Sequence, residues 1–521
     1  MTRGEVLSFE QALQNKRRNP QARWPAVAES FAGEAWPRIE ASFRLQPGDT
    51  VFTIGSCFAR NIERYLADVG CRVPMLELHL PPDEWDGEAN APMNKFHPPA
   101  FRQSLDWAAR IFDRGGRVAW SDCEPLGFHL GGDVWFDLDM GAVAPVGRAR
   151  FLERRQQIYD ALSTAFAADC LMMTPGLIEA WRDTSTGLYI HRPPIHKALA
   201  MQAARWEFEI LSYEQCLADL LAAIDVVRAR NPEVKVLITT SPVPMSATFS
   251  GQDIRIANAH SKAVLRAACG AAAAQRPMTD YFPSYESATL SAPELVWEVD
   301  RLHVTVAFVG KIVSHMLSHY LDGGASAALR LIEARTLLSG DRYQEAEAAA
   351  RSALELSPED ADIVVLLAET LIRQGRPAEA EARLRPMITR HPERADLRTA
   401  LGRAIAEADS ARIPEAMAEI DAATALPSMG RAEFRSLARL IRRHAPREAA
   451  LRLARLAAER FPLDMKATAL LARVLIGQGR TAEAIEVLRQ AVGARRCPAS
   501  LRERLAQLLA KTGQTLEAIN P

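Results

Sequence analysis

The stretch Val51-Phe52-Thr53-Ile54-Gly55-Ser56-Cys57-Phe58 joins a strand pattern to a helical one, and it decides the class of the fold. The apolar, β-branched run over residues 51–54 predicts a short buried strand, and residues 58–66 follow with helical periodicity. Gly55 between them allows a sharp turn, because glycine has no Cβ atom. A strand that leads directly into a helix favours an α/β domain with a mainly parallel sheet.

The same alternation continues as far as residue 322. Further buried strands are predicted over residues 170–174 and 234–240, with helices over 213–230 and 306–321. In such sheets, ligands bind at the carboxyl ends of the strands. The candidate site residues therefore follow the strands or precede the last helix: Gly55-Ser56-Cys57, Thr174-Pro175-Gly176, Ser241-Pro242-Val243-Pro244, and the loop that holds Asp300 and His303.

Composition places the chain among ordinary globular proteins of two or three domains. Of its 521 residues, 48% are hydrophobic and 24% are charged. The formal net charge of −1 gives no field that would steer the chain to nucleic acid or to an anionic membrane. No apolar run reaches the roughly 18 residues of a membrane span, and the N-terminus lacks the apolar core of a signal peptide.

The seven cysteines are scattered and form no CxxC pair. An odd number of cysteines without a signal peptide predicts reduced thiols in a bacterial cytoplasm and no disulfide framework. Because paired cysteines are missing, a zinc cluster is not expected. We predict neither a metal nor a cofactor for this chain.

Cys57 stands at the predicted start of a helix, and this position has two interpretations. Free amide hydrogens and the positive end of the helix dipole favour an anion there, so a thiol should have a lowered pKa. The same amides would stabilise an oxyanion. In the alternative, Ser56 is an ordinary N-cap and Cys57 packs as a small hydrophobic residue.

Asp300 and His303 lie three residues apart, just before the last predicted helix of the domain. An aspartate at this spacing reaches the imidazole, fixes its tautomer and leaves the other ring nitrogen to act as a base. The alternative is a surface ion pair, with Asp300 or Thr305 capping the helix. A nucleophile after the first strand and an Asp-x-x-His before the last helix is the order expected of a triad.

The sequence around Cys57 resembles a known family. Gly55-Ser56-Cys57-Phe58-Ala59 is the signature that gives the GSCFA family its name, and the resemblance covers residues 48–322. That family is similar to the SGNH (GDSL-like) hydrolases, which are esterases, lipases and carbohydrate O-acyltransferases or deacetylases. The resemblance implies a flavodoxin-like three-layer α/β sandwich. Further matching blocks are residues 174–181, 241–244, 261–266 and 281–286.

The resemblance also implies roles for individual residues. Cys57 falls on the position of the SGNH nucleophilic serine, Ser56 falls on the aspartate before it, and Asp300 and His303 match the late pair. His303 would then remove the Cys57 proton while Asp300 orients the imidazole, with Ser56 as the alternative nucleophile. The substrate implied is an acylated small molecule, carbohydrate or glycoconjugate.

Six further residues are candidates for oxyanion or substrate contacts. The family-level asparagine donor has no counterpart at residues 174–176. Asn94 and Thr174 are the two candidate substitutes, and the alternative, favoured for Asn94, is a structural role in its loop. Trp181 would be a sugar-stacking platform or part of the core, and Ser241 would mainly stiffen its proline-flanked loop. The full set is Asn94, Thr174, Gly176, Glu179, Trp181 and Ser241.

Beyond residue 322 the sequence is rich in Ala, Leu, Arg and Glu, and small residues recur with a period of 34. This pattern resembles the tetratricopeptide repeat (TPR), an all-α solenoid whose paired helices approach closely. Such an array binds a protein partner or orients and self-associates the enzyme. The repeat marks are Ala334, Ala346 and Pro358, then Ala368, Gly375, Ala380 and Pro392, then Gly402 and Ala416, then Ala472, Gly479 and Ala484, and finally Ala506, Gly513 and Ala518.

We therefore predict three segments. Residues 1–47 form an extension that packs on the catalytic domain, with Trp24, Phe31 and Trp36 as its anchors. Residues 48–322 form the α/β domain, and paired glycines at 323–324 mark a linker. Residues 323–521 form the repeat domain.

Overall fold

A computed structural model describes residues 6–81, 84–85, 91–141, 143–322, 327–430, 433–434, 436–437, 440, 444–461, 464–492 and 499–512. The linker glycines 323–324, Cys497 and the repeat marks Gly513 and Ala518 lie outside these residues. The chain forms two compact units, Met1–Thr336 and Leu337–Pro521.

The strands of the first unit are β1 (Val51–Gly55), β2 (Gly127–Gly131), β3 (Val134–Asp137), β4 (Cys170–Thr174), β5 (Glu179–Asp183), β6 (Tyr189–Ile190), β7 (Trp206–Ile210), β8 (Lys235–Ile238) and β9 (Thr279–Tyr281). Its helices are α1 (Phe9–Arg18), α2 (Trp24–Val27), α3 (Cys57–Asp68), α4 (Pro98–Phe112), α5 (Trp120–Cys123), α6 (Arg148–Ser163), α7 (Lys197–Ala200), α8 (Tyr213–Arg228), α9 (Ile254–Gln275), α10 (Ser284–Leu290), α11 (Pro293–Val296) and α12 (Val306–Tyr320). The predicted α/β class is confirmed.

Four parallel strands form the central sheet, in the order β1-β4-β8-β9. On the free edge of β1, a single parallel bridge joins Thr50 to Arg72, which follows α3. The chain therefore leaves β1 toward one edge of the sheet and later returns on its other side as β4. The strand order reverses between β1 and β4, which is where open α/β sheets bind their ligands.

Helices cover both faces of this sheet, because alternate strand residues point to opposite sides. One apolar cluster joins one set of strand residues to α4, α6, α8 and α9, and a second joins the other set to α3 and α12. The first set is Phe52, Ile54, Leu171, Met173, Val236 and Ile238, and the second is Val51, Cys170, Met172 and Leu237. The result is three layers: helix, sheet and helix.

Two smaller antiparallel sheets flank the central one. Strands β2 and β3 form a hairpin, and β6-β5-β7 form a three-stranded sheet. Strand β5 begins five residues after the end of β4, so it starts beside the carboxyl edge of the main sheet.

The segment before β1 is anchored mainly through Trp36. Its ring stacks on Phe308 of α12 with centroids 5.6 Å apart, and the Leu45 amide donates to the Tyr320 carbonyl at 2.6 Å. Trp24 does not act as the expected anchor, because it is 70% exposed and contacts Phe31 instead. Burial of the Trp24 side chain therefore contributes little free energy to the attachment of this segment.

The second unit is all-α, as predicted. Helix α13 (Ala327–Ser339) crosses the boundary between the units, and its residues Leu329 and Ile332 belong to the second apolar cluster of the first unit. The helices that follow are α14 (Tyr343–Leu356), α15 (Ala361–Arg373), α16 (Pro377–Arg390), α17 (Ala395–Ala408), α18 (Ile413–Thr424), α19 (Arg447–Arg460), α20 (Met465–Gly477), α21 (Thr481–Val492) and α22 (Ala499–Thr512).

The repeat marks lie where paired helices meet. Ala368 and Ala380 are fully buried, and a Cβ added to Gly402 would lie 2.8 Å from Ile420 Cγ1. The turns between paired helices need a positive φ, which Gly375 and Gly479 adopt at 75° and 76°. Asp341 adopts the same turn with a φ of 57°, 34 residues before Gly375. Aspartate tolerates this conformation better than most residues.

Candidate functional site

The β1–α3 turn separates the roles of Ser56 and Cys57. Ser56 is the N-cap of α3, is 3% exposed, and its Oγ accepts a hydrogen bond from the Phe58 amide at 3.4 Å. Cys57 is the first residue of the helix and is partly exposed. The Ser56 hydroxyl is therefore engaged in capping, whereas Cys57 is the more exposed of the two residues.

The electrostatic surroundings of Cys57 differ from those expected at a helix start. Burial raises the pKa of the Cys57 thiol, and it outweighs the charge of Lys262, the amides of Cys57 and Phe58, and the charge of Arg60, which all lower it. The prediction of a lowered thiol pKa was therefore wrong. The amides do favour the thiolate, but the loss of solvent around the sulfur has the larger effect.

Lys262 of α9 was not among the predicted site residues. It is fully buried, and its Nζ donates hydrogen bonds to the carbonyls of Gly176, Ser241 and Val243 at 2.8, 2.8 and 2.6 Å. The sequence did carry a signal for it, because Lys262 shares the buried stripe of α9 with Leu265, Cys269 and Ala272. A lysine on such a stripe needs a polar partner inside the protein.

The carboxyl ends of β1, β4 and β8 are in contact. A Cβ added to Gly176 would lie 3.4 Å from the Ser56 Cβ and 3.6 Å from the Ser241 Cβ. The Ser56 amide donates to the Thr174 carbonyl at 3.1 Å. Gly176, Ser241, Thr174 and Ser56 therefore form one buried, contiguous group at the point where the strand order reverses.

Asn94 approaches the same strand ends through its neighbours. The Lys95 amide donates to the Gly55 carbonyl at 2.7 Å, and the amides of Gly176 and Leu177 both donate to the Phe96 carbonyl, at 2.8 and 2.9 Å. Residues 94–96 are thereby tied to the ends of both β1 and β4.

Four buried polar atoms around these strand ends make no hydrogen bond to the described residues. They are Asn94 Oδ1, Thr174 Oγ1, Thr240 Oγ1 and Ser241 Oγ. A buried polar group without a partner costs about 1–3 kcal/mol, so these atoms are ready to accept or donate a hydrogen bond to a bound group. Asn94, Thr174 and Ser241 were candidates from the sequence, and Thr240 was not.

The Asp300–His303 pair has the geometry that its spacing predicted. His303 Nδ1 lies 2.6 Å from Asp300 Oδ2, and Asp300 Oδ1 accepts the amides of Leu302 and His303 at 2.9 and 3.0 Å. These hydrogen bonds lower the pKa of Asp300 to about 2. The turn holds Arg301 at a φ of 55°, a conformation rare for a residue with a side chain.

Thr305, not Asp300, is the N-cap of α12, since its hydroxyl accepts the Phe308 amide at 3.2 Å. The Asp300 and His303 side chains are 49% and 61% exposed. In the described part of the chain, no hydrogen bond joins His303 to Cys57.

Glu179 and Trp181 have structural contacts. Both carboxylate oxygens of Glu179 are occupied, one by the Thr248 hydroxyl and the other by the Phe249 amide at 3.0 Å. The Trp181 ring packs against Phe208 and Phe249, with centroids 5.2 and 5.3 Å apart. Glu179 therefore holds the β8–α9 loop, and Trp181 belongs to an aromatic cluster beneath it.

Two histidines, the buried His97 and the partly exposed His191, lie close to residues 94–96. Burial, followed by the charge of Lys95, lowers the pKa of His97 to about 3 and that of His191 well below its usual value. Neutral imidazoles beside an ammonium group do not make a cation site. Within the described ranges, His, Cys, Asp and Glu side chains form no group of three or more that could hold a metal ion.

A family model for the GSCFA family matches residues 50–316, just over half of the chain. The chain belongs to the GSCFA family. Two tetratricopeptide repeat models match the part after this GSCFA domain, at residues 337–404 and at residues 437–500 and 470–520. The predicted family and the predicted domain order are thus confirmed. Among curated proteins, none matches the chain significantly.

Solved structures similar to this GSCFA protein match its repeats. A thermophilic TPR protein of Thermus thermophilus is 19% identical, with a TM-score of 0.29, over 36% of this chain and 100% of its own. A TPR protein of Parabacteroides merdae is 14% identical, with a TM-score of 0.29, over 40% of this chain and 80% of its own. Pseudomonas aeruginosa pilF is 18% identical, with a TM-score of 0.27, over 39% of this chain and 88% of its own. TM-scores this low carry no argument about function.

In the described part of this GSCFA protein, no helix is both long enough and apolar enough to cross a membrane.

Proposed function

We propose that the GSCFA domain is an SGNH-like acyl-ester hydrolase or O-acyltransferase that acts on a carbohydrate or glycoconjugate. The observation that carries the proposal is the 2.6 Å contact between Asp300 Oδ2 and His303 Nδ1. An ionised aspartate on Nδ1 leaves Nε2 unprotonated in the neutral imidazole, and Nε2 is the atom that a general base needs.

The strand order supports an SGNH-like, flavodoxin-like domain. Counting the Thr50–Arg72 bridge as a reduced edge strand, the order of the parallel sheet is 2-1-3-4-5. Cys57 follows β1, which is strand 1 in this numbering, and the Asp300–His303 pair precedes the last helix of the domain.

The packing of α12 supports placing His303 at the same edge as Cys57. Leu321, after the end of α12, pairs with Leu45, just before β1, so this end of α12 lies toward the amino edge of the sheet. With its 15 residues, α12 is about 22 Å long, whereas the five residues of β1 span about 17 Å. Since α12 and α3 share one apolar cluster, the start of α12 reaches the carboxyl edge on the face of α3.

The proposed reaction has two steps. His303 Nε2 takes the proton of Cys57, and the sulfur attacks the acyl carbonyl to form a thioester while the alcohol leaves with a proton from His303. Water or a sugar hydroxyl then attacks the thioester, gives its proton to His303 and releases the thiol.

The oxyanion would be stabilised at the β1–α3 turn. The Cys57 and Phe58 amides favour the thiolate form of Cys57. The Gly176 backbone and the Asn94 and Thr174 side chains lie beside the same strand ends. Thr174 can donate through its hydroxyl and Asn94 through its amide nitrogen. One such donor contributes about 3 kcal/mol to stabilisation of a transition state.

Esterase assays with p-nitrophenyl acetate and a peracetylated sugar test this proposal. Cys57→Ala should lower kcat/KM by at least about a thousandfold and abolish formation of an acetyl-enzyme detected by mass spectrometry. Ser56→Ala should keep most activity and lose about 1 kcal/mol of stability, because it removes an N-cap. Cys71→Ala, at a buried cysteine of the second apolar cluster, is the control.

A different pattern would overturn these assignments. Full activity in Cys57→Ala with loss in Ser56→Ala would make Ser56 the nucleophile. Absence of turnover in the wild type, together with no labelling of Cys57 by thiol-directed acylating probes, would favour a second function.

That second function is a non-catalytic ligand-binding protein that keeps the SGNH-like fold. The raised pKa of the Cys57 thiol is the observation in its favour, because a mostly protonated thiol is a poor nucleophile. Isothermal titration with acetylated and deacetylated sugars, on wild type and Cys57→Ala, separates the two. Equal binding by both variants without turnover supports the ligand-binding protein.

We propose that the repeat unit binds a protein partner or a second copy of the chain. Arrays of this kind present an extended surface for such contacts. Light scattering of the full chain distinguishes self-association from recruitment of another protein.

A further inference from the structure

Helix α1 lies on the surface of the first unit and contains no buried residue. Of its two large apolar side chains, Phe9 is 73% exposed and Leu13 is only partly buried. A helix of ten residues is marginal in water, because most helical stability in proteins comes from the packing of an apolar face. The described residues leave that face of α1 largely uncovered.

The local sequence nevertheless specifies a helix at this place. The Ser8 hydroxyl accepts the Gln11 amide at 3.1 Å, and the Gln11 side chain accepts the Ser8 amide at 2.9 Å, which completes a capping box. Glu10 stands in the first turn and the basic residues 16–18 stand in the last turn, as the helix dipole favours. A helix with caps at its start and matched charges at both ends, but with little packing, indicates a partner outside the described residues.

Exposed apolar side chains continue on both sides of α1. Val6 and Leu7, just before the helix, are 79% and 44% exposed, and Trp24, after it, is 70% exposed. Within the helix, Phe9 and Leu13 are four residues apart and therefore share one face. Surface apolar residues that occur singly need no explanation, but a concentration of them in one short segment marks an interaction site.

The segment 6–24 is also basic, although the whole chain has a formal net charge of −1. It contains one acidic residue and four basic ones, Lys16, Arg17, Arg18 and Arg23. All four basic residues are exposed, and none of them pairs with a carboxylate that the structure describes. Exposed apolar and basic side chains in one segment are complementary to a surface that offers both hydrocarbon and negative charge, as an anionic lipid bilayer does.

The position of Lys16 disfavours an apolar groove of a protein as the partner. A helix that binds in such a groove uses apolar anchors at positions i, i+4 and i+7. Counted from Phe9, these positions hold Leu13 and Lys16, so the third anchor would be a charged residue. At a bilayer surface the same lysine lies along the apolar face with its stem and reaches the lipid headgroups with its ammonium group.

We propose that the segment 6–24 docks the protein on an anionic lipid bilayer. Phe9, Leu13 and Trp24 enter the boundary between headgroups and acyl chains, and the basic residues 16–18 and Arg23 contact the lipid phosphates. The ten residues of α1 rise only about 15 Å, so the helix lies in the plane of the interface and does not cross the bilayer. This role is independent of the chemistry at Cys57.

Sedimentation of the full chain with lipid vesicles tests the proposal. Vesicles of phosphatidylcholine alone are compared with vesicles that also contain phosphatidylglycerol, at about 0.15 M salt. Wild type should sediment with the anionic vesicles and not with the neutral ones. Peptides that cover residues 6–24 should become protected from hydrogen exchange when these vesicles are present, because the helix then gains the packing that it lacks in water.

Two sets of variants separate the apolar contribution from the charge contribution. Phe9→Ser with Leu13→Ser should weaken vesicle binding by at least about tenfold, because two large apolar side chains no longer enter the interface. Replacement of residues 16–18 by glutamine should weaken it by about a hundredfold, since each basic residue near an anionic surface contributes about fivefold. Ile195→Ser with Met201→Ser is the matched control, at side chains 79% and 80% exposed, and should bind like wild type.

A charge-conserving variant distinguishes a bilayer from a protein partner. Lys16→Arg, Arg17→Lys and Arg18→Lys together should keep vesicle binding, because a lipid surface responds to the charge, whereas a protein site built for guanidinium geometry would lose affinity. Every altered residue of this test is at least partly exposed, so the melting temperature should stay at the wild-type value.

Wild type that fails to bind the anionic vesicles would overturn the proposal. So would equal binding by wild type, by the Phe9 and Leu13 variant and by the glutamine variant. Protection of residues 6–24 that depends on protein concentration and not on vesicles would overturn it as well, and would make a second copy of the chain the partner. None of these measurements depends on ester hydrolysis, so failure of the enzymatic proposal remains distinguishable.

Discussion

A Cβ atom added to Gly55 would lie 1.9 Å from Thr174 Oγ1 and 2.8 Å from the Thr174 carbonyl oxygen. The backbone of β1 therefore approaches β4 at a point where no larger residue fits. Gly55 does not need a left-handed φ, so the turn into α3 is not what requires a glycine. The first residue of the family signature is explained by contact between neighbouring strands.

Gly55→Ala should destabilise the first unit by about 1–3 kcal/mol, the usual cost of overpacking a core. Thr174→Ala in the same chain should recover only part of the lost stability. It removes the hydroxyl that clashes with the new Cβ, but the Thr174 carbonyl oxygen stays in place. Chemical denaturation of the four proteins of this double-mutant cycle gives the coupling. Strictly additive effects would show that the two residues do not compete for the same space.

The main features of the fold were predictable because they rest on local patterns. The β1 run, the helix at 213–228 and the repeat spacing each express one periodicity, and each appears where predicted. Within the matching block 281–286, by contrast, no helix was predicted, yet helix α10 begins at Ser284. The Ser284 hydroxyl donates to the Thr240 carbonyl of another strand end, a tertiary contact that no local pattern reveals.

Asp300→Asn should lower kcat/KM by at least about a hundredfold, because an asparagine no longer fixes the histidine tautomer or stabilises the imidazolium. Since the pKa of Asp300 is about 2, it stays ionised above about pH 4, and its own titration should add no limb to the pH–rate profile there. Stability should change little, because the pair is solvent-exposed.

Asp253→Asn is the control for that experiment. Asp253 is the N-cap of α9, accepts the Arg255 amide at 2.9 Å and, like Asp300, has a pKa lowered to about 2, but no histidine among the described residues pairs with it. It should retain full activity. If Asp300→Asn behaved like Asp253→Asn, the Asp300–His303 pair would be only a surface contact.

The site was predictable as far as its residues follow strands or precede a helix. The contact between Asp300 and His303 depends on a spacing of three, which the sequence shows directly. The raised thiol pKa of Cys57 was missed because burial depends on α9 and on the loops that pack around the sulfur. Lys262 was missed for a similar reason: its three acceptors are distant in sequence and are backbone carbonyls, which carry no signature.

Two helical glycines of the repeat unit, Gly402 and Gly477, should respond oppositely to alanine. At Gly402 a Cβ would lie 2.8 Å from Ile420 Cγ1 and 2.9 Å from the Ala416 carbonyl, so Gly402→Ala should destabilise the repeat unit by about 1–3 kcal/mol. At Gly477 a Cβ meets nothing within 4 Å, so Gly477→Ala should stabilise it by about 0.4–1 kcal/mol. Hydrogen exchange in α17 and α20 measures both effects, and changes of the same sign would contradict the helix packing.

His97 should make the first unit sensitive to acid. Its Nδ1 accepts the Ala100 amide at 3.3 Å as the N-cap of α4, which requires a neutral ring. Burial lowers its pKa to about 3 in the folded protein, whereas the unfolded chain binds a proton near the ordinary value of about 6.5. Between these values the unfolded state holds more protons, so stability falls as the pH falls, by up to about 1.4 kcal/mol per pH unit.

His97→Asn should keep the cap, since asparagine is a good N-cap residue, while removing this titration. The slope of unfolding free energy against pH between about 6 and 4 should decrease by the equivalent of about one proton. Part of the acid sensitivity should remain, because the pKa of His191 is also lowered well below its usual value. His129→Asn, at an exposed histidine, is the control and should leave the slope unchanged. An unchanged slope in His97→Asn would mean that His97 does not stay neutral in the folded domain.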